Sequence, residues 1–165
     1  LSLETTHHGP WVETPSLFIE IGSTEATWGH EGAATLLAGI IYRGLGLDGG
    51  DGLGNWSGNG RVVITLGGGH YAPRGNFLAM HEDVWIGHML ATYALPFEKD
   101  DDGTISGMWE NSLRKAIDST KIAYPDGEIV CSMDKKAFKG WQRQAIRDLL
   151  EELDVPLLKR SEIIG

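Results

Sequence analysis

An apolar, β-branched run, Arg61-Val62-Val63-Ile64-Thr65-Leu66, passes without interruption into Gly67-Gly68-Gly69-His70-Tyr71-Ala72-Pro73-Arg74. The first six residues predict a buried strand. Three glycines then strip the backbone of side chains, so the chain can turn sharply or let a ligand approach the main chain. Pro73 stiffens the exit. An imidazole, a phenol and a guanidinium are therefore delivered to the carboxyl end of a strand, where open α/β sheets place their ligands.

The rest of the chain alternates between strand and helix patterns. Residues 17–22 predict a strand carrying one acid, Glu20. Ser23 or Thr24 can cap a helix running to about residue 45, with Ala33, Leu36, Leu37, Ile40 and Ile41 inward. A Gly-rich loop over residues 46–60 holds Trp56, which can stack on a ring or pin the loop to the core. A short helix or turn is expected at 76–82, strands at 84–90 and 128–132, an acidic surface loop at 98–107 and a helix at 108–119. Phe138, Trp141, Ala145, Ile146, Leu149, Leu150 and Leu153 fall on one face of a long C-terminal helix. Residues 155–158 add a last edge strand. This order predicts an α/β sandwich with a largely parallel central sheet. A chain of 165 residues reads as one domain.

The net charge of −9 argues against indiscriminate nucleic-acid binding. The charge is uneven, however. Residues 1–60 contain a single basic residue, Arg43, whereas Lys135, Lys136, Lys139, Arg143 and Arg147 crowd into residues 134–147 against Asp134 alone. Lys136, Lys139, Arg143 and Arg147 form a stripe at helical spacing, which is either a solvated face or a phosphate-contacting one. No apolar stretch reaches membrane-spanning length. The single cysteine, Cys131, excludes an internal disulfide and points to a reducing compartment, hence a cytoplasmic protein. Its strand-like setting makes it a buried filler rather than a nucleophile.

Several motifs together resemble the D-aminoacyl-tRNA deacylase family of the archaeal and plant type. They are Thr6-His7-His8-Gly9-Pro10, residues 18–25, Trp56-Ser57-Gly58-Asn59-Gly60, residues 67–74, Gly87-His88 and residues 135–140. The resemblance runs from about residue 6 to about 158. It implies a three-layer, phosphorylase/hydrolase-like fold related to peptidyl-tRNA hydrolases. The activity it implies is hydrolysis of the ester that joins a D-amino acid to the tRNA 3′-terminal adenosine, with D-aminoacyl-tRNA as partner. Members usually carry a further N-terminal region ahead of the Thr-His-His-Gly-Pro motif. Residues 1–165 are therefore expected to form a single deacylase domain lacking that portion, with a monomer among the possible oligomeric states.

Within that reading His70 is the foremost catalytic candidate, since an imidazole can take or give a proton near neutral pH. The N–H groups of Gly68, Gly69 and His70 are candidate oxyanion donors. His7 and His8 come next; adjacent side chains on an extended strand diverge, so one of the two should face the site. Glu20 is a candidate to orient a histidine or hold a metal, because a lone carboxylate in an apolar strand needs a partner. Tyr71 can wall the aminoacyl pocket, and Arg74 suits a phosphate or a loop-closing ion pair. Trp56, Lys136, Lys139 and Arg143 complete the candidate substrate contacts. The family's association with zinc makes His7, His8, His70 and His88 candidate ligands, although no His-x-x-x-His pair is present. His30 and His81 read as structural. Two other readings stay open: a tRNA 3′-end or nucleoside-binding module without catalysis, and a metal-dependent, peptidase-like hydrolase.

Overall fold

The computed structural model describes residues 3–7, 14 and 16–165. The chain divides into two compact units, residues 58–165 with the N-terminal segment through residue 13, and residues 14–57.

The larger unit is built on a three-stranded parallel sheet in the order β2-β1-β5, with β1 Arg61–Leu66, β2 Val84–Leu90 and β5 Glu128–Met133. β-Branched residues favour these pleated positions, and Val62, Val63 and Ile64 of the central strand are fully buried. The pleat sends alternate residues to opposite faces. Ile64, Leu66, Cys131 and Met133 pack against Leu113 and Ile117 of α3 (Trp109–Ala123) and Ile146, Leu149 and Leu150 of α4 (Gly140–Glu152). Val63 and Val130 pack on the other face against Leu78 of α2 (Pro73–Ala79) and Ile163 of α5 (Arg160–Ile163). The outcome is the expected helix–sheet–helix sandwich.

Local differences from the sequence reading have physical causes. The acidic stretch forms a small antiparallel hairpin, β3 Glu98–Lys99 and β4 Ile105–Ser106, because the Asp100 carboxylate accepts from Thr104 N–H at 2.7 Å and closes the turn. Residues 155–158 form one parallel bridge, Cys131 to Leu157, rather than a strand. α4 starts only at Gly140; the Asp134 carboxylate accepts from Lys136 N–H and sets off a separate 3-10 turn at Lys135–Ala137. Lys136 is thus not on the helix that carries Arg143. Cys131 is fully buried, and burial pushes its thiol up to about 12, as suits a filler.

In the smaller unit residues 16–24 are exposed and form no strand, contrary to the alternation that predicts one at 17–22. The predicted helix is two pieces, a 3-10 turn at Glu25–Thr27 and α1 Glu31–Gly44. His30 separates them: its Nδ1 accepts from Ala33 N–H at 3.1 Å and caps α1, the structural role expected of it. No helix among the described residues is long and apolar enough to cross a membrane.

Candidate active site

β1 ends in a loop that only glycine could make. Gly67 and Gly68 both adopt φ +91. Gly67 N–H donates to Leu90 O at 2.8 Å and extends the β1–β2 pairing by one step. Thr92 then clamps the next residue. Its N–H donates to Gly68 O at 3.0 Å, and its hydroxyl lies 3.1 Å from both Gly68 N and Gly68 O.

The N-terminal segment returns to this loop. Thr5 N–H donates to His70 O and Thr6 N–H to Met89 O, each at 2.8 Å. These two bonds lay residues 4–7 along the mouth of β1 and β2. Glu4 Oε2 then sits 3.0 Å from His70 Nε2 and 3.9 Å from His7 Nε2, and the two imidazole rings meet edge to face at 4.4 Å. The Thr5 carbonyl accepts from His7 Nδ1–H, which turns the Nε2 of that ring toward Glu4. Tyr93 OH lies 3.1 Å from the Thr5 hydroxyl and 3.5 Å from His70 Nδ1. Tyr71 is 63% exposed and packs its ring edge to face on His70 at 5.0 Å.

An ionised carboxylate only accepts, so the Glu4 contact assigns the proton of neutral His70 to Nε2 and leaves Nδ1 as the basic nitrogen. Glu4, His7 and His70 also offer one ligand atom each, all within 4.8 Å of one another. Two imidazoles and a carboxylate are a donor set for zinc that keeps a coordination position open. The His7 Nδ1–H bond to a carbonyl is the usual outer support of a ligating histidine.

His88 does not join this cluster. A bulge places Val63 opposite Ile86 but Ile64 opposite His88, so the extra residue is Gly87. A Cβ there would stand 2.5 Å from Thr120 Cγ2 of α3. The bulge aims His88 between two hydroxyls, Thr6 Oγ1 at 3.2 Å from Nδ1 and Ser119 Oγ at 2.9 Å from Nε2. The Ser119 proton is donated to Ala116 O, so Ser119 accepts from Nε2–H and Nδ1 accepts from Thr6. Burial lowers the His88 pKa below its ordinary 6.5. The unfolded chain therefore binds the proton more readily than the native one. This contribution is complete above pH 6.5 and is lost as pH falls through the lower native value. Thermal melts should show Tm dropping on acidification below about pH 6.5, with the drop reduced in His88→Asn.

The other expected residues fall as follows. His8 lies outside the described residues. Glu20 and Trp56 belong to the smaller unit, Glu20 on an exposed irregular stretch rather than in an apolar strand, and Trp56 half-buried in a loop. Gly68 is not an oxyanion donor, because its N–H is held by the Thr92 hydroxyl. The N–H groups of Gly69 and His70 have no acceptor among the described residues. Arg74 pairs with Asp134 at 3.3 Å, which ties the β1 loop to the β5 loop. Lys136 and Lys139 are exposed, whereas Arg143 donates to Lys135 O at 3.1 Å and Phe138 O at 2.7 Å and so braces their loop from behind. Glu4, Thr5, Thr92 and Tyr93 were not foreseen. Glu4, three residues ahead of His7, carried the one visible signal.

The family model for D-aminoacyl-tRNA deacylase matches residues 1–158. The chain belongs to this family. It is 40% identical over 98% of its length to a D-aminoacyl-tRNA deacylase of Arabidopsis thaliana, of which it covers 54%. To the deacylase of Pyrococcus abyssi it is 34% identical over 94% of its length, covering 50% of that protein. A solved conserved protein of unknown function shares the fold with a TM-score of 0.69 at 26% identity, covering 98% of this chain and 49% of that one. The chain thus spans about half the length of the curated relatives it matches.

Proposed function

We propose that this chain carries the hydrolytic centre of a D-aminoacyl-tRNA deacylase, cleaving the ester between a D-amino acid and the tRNA 3′-terminal ribose in the cytoplasm. The observation behind this reading is the Glu4–His70 pair at 3.0 Å, carried on a glycine loop whose Gly69 and His70 N–H groups have no acceptor among the described residues. His70 Nδ1 takes a proton from water as the water oxygen bonds to the ester carbonyl carbon. Gly69 and His70 N–H stabilise the oxyanion, a contribution of about 2.7–4 kcal/mol per donor. The same proton returns to the ribose oxygen as the C–O bond breaks, releasing free D-amino acid and tRNA. Glu4 holds the ring and balances the imidazolium. Glycine backbone beside the α-carbon leaves no rotamer to yield, which is the basis for refusing L-amino acids. The exposed Lys136 and Lys139 meet tRNA phosphate.

A second reading is favoured by the convergence of Glu4, His7 and His70. These three residues would hold zinc, which would supply Lewis-acid activation at the same place. The two readings differ in whether His70 Nε2 carries a proton. Hydrolysis of D- against L-aminoacyl-tRNA, with and without chelator and with metal analysis, tests both. D-specific turnover is expected. Its survival in metal-free protein supports the Glu4–His70 pair acting alone, its loss with restoration by zinc supports the triad, and equal L turnover overturns the proposal.

A further inference from the structure

The loop that presents His70 has a second side. The His70 cluster lies toward β2, against residues 4–7 and Tyr93. Toward β5, between the carboxyl ends of β1 and β5, the same loop roofs a pocket of about 200 Å³. Thr65, Ser132, Gly68, Gly69, Arg74 and Asp134 line it. The position follows from topology. β1 runs on into α2, which packs on one face of the sheet, while β5 runs on into α4, which packs on the other. Neighbouring parallel strands whose connections leave in opposite directions open a crevice between them, and such crevices take nucleotides. Thr65 and Ser132 are paired in register, so their side chains leave the same face of the sheet side by side, and both residues line the pocket.

We infer that this pocket receives the terminal nucleoside of the tRNA, so that the substrate lies across the sheet edge from β5 to β2. The inference rests on the hydrolase reading and adds the orientation of the substrate. Bare glycine peptide planes let a flat heterocycle approach closely. Two hydroxyls and the Asp134 carboxylate offer acceptors to the amino and hydroxyl donors of a nucleoside. Beyond the pocket, on the β5 side, come Lys135, Lys136 and Lys139, all exposed, where a phosphate backbone would continue. At the opposite end stands Glu4, matched to a cationic α-amine. An amino-acid side chain in the pocket would reverse this polarity and bring the phosphates toward Glu4.

The test is calorimetric titration of the full chain with adenosine 5′-monophosphate, and separately with D-tyrosinamide. Ser132→Leu fills the pocket; Thr65→Val removes a hydroxyl at constant shape and serves should the leucine variant misfold. One-to-one binding of the nucleotide is expected, weakened at least tenfold in Ser132→Leu, with KM for D-aminoacyl-tRNA rising in parallel. Unchanged nucleotide binding in both variants overturns the inference, as does loss of D-tyrosinamide binding in place of the nucleotide. Turnover of D-aminoacyl-tRNA with an unaltered KM in both variants sinks the pocket assignment and spares the hydrolase. Nucleotide binding in the pocket without any ester cleavage does the reverse.

Discussion

Replacing His70 by alanine is expected to lower kcat/KM for a D-aminoacyl-tRNA by roughly 10²–10⁴-fold, the range for loss of a general base. The protein should remain folded. The His70 side chain is 38% exposed, and the bond that anchors the N-terminal segment is made by its main-chain oxygen, which alanine keeps. Glu4 loses a partner but is 29% exposed at its side chain and stays hydrated. Far-ultraviolet circular dichroism and Tm should therefore match wild type while single-turnover rates collapse. Glu4→Gln is the companion variant. It retains an acceptor for His70 Nε2–H but not the charge that balances an imidazolium, so its loss should be smaller than that of His70→Ala if the pair acts without metal. A loss as large as that of His70→Ala, accompanied by loss of bound zinc, would transfer the role to the triad. Wild-type turnover in His70→Ala would remove the imidazole from the mechanism.

Sequence reasoning reached β1, β2 and β5 because buried strands of a parallel sheet are continuous apolar runs, which need no partner to be recognised. It reached α3 and α4 through the 3.6-residue repeat of Leu113, Ala116 and Ile117 and of Ile146, Leu149 and Leu150. Residues 17–22 failed the same test for an instructive reason. Leu17, Phe18, Ile19 and Ile21 are apolar and adjacent but are 79%, 64%, 41% and 39% exposed, and composition alone cannot tell a strand from an extended stretch. The site was half legible. A glycine triplet before a histidine is a local signal. Glu4 reaches His70 only because Thr5 of the N-terminal segment pairs with His70 and Thr6 with Met89, and Tyr93 reaches it because Thr92 is bonded to Gly68, contacts distant in sequence that no local pattern encodes. The basic stripe misled because periodicity continued across Lys136 and Lys139 into α4, whereas the Asp134 turn breaks the helix between them.

Gly67→Ala should destabilise the protein by about 3 kcal/mol, from two independent penalties. At φ +91 an L side chain is strained, at a cost of roughly 1–2 kcal/mol. A Cβ there would also lie 2.7 Å from Phe138 Cε2 and 2.8 Å from Ala137 Cβ. Phe138 is 4% exposed and packed in the main core, so the ring cannot yield without opening a gap elsewhere; overpacking of this kind costs about 1–3 kcal/mol. For a chain of this size the sum lowers Tm by about 6–12 °C. Gly69 is the control, because a Cβ at that position meets nothing within 4 Å and its φ lies outside the left-handed region. Gly69→Ala should therefore melt like wild type while the loop still carries the substituted residue beside His70. A Gly67→Ala variant as stable as Gly69→Ala would mean that the glycine run is not pinned against the β5 loop, and the loop that presents His70 would lose that anchor.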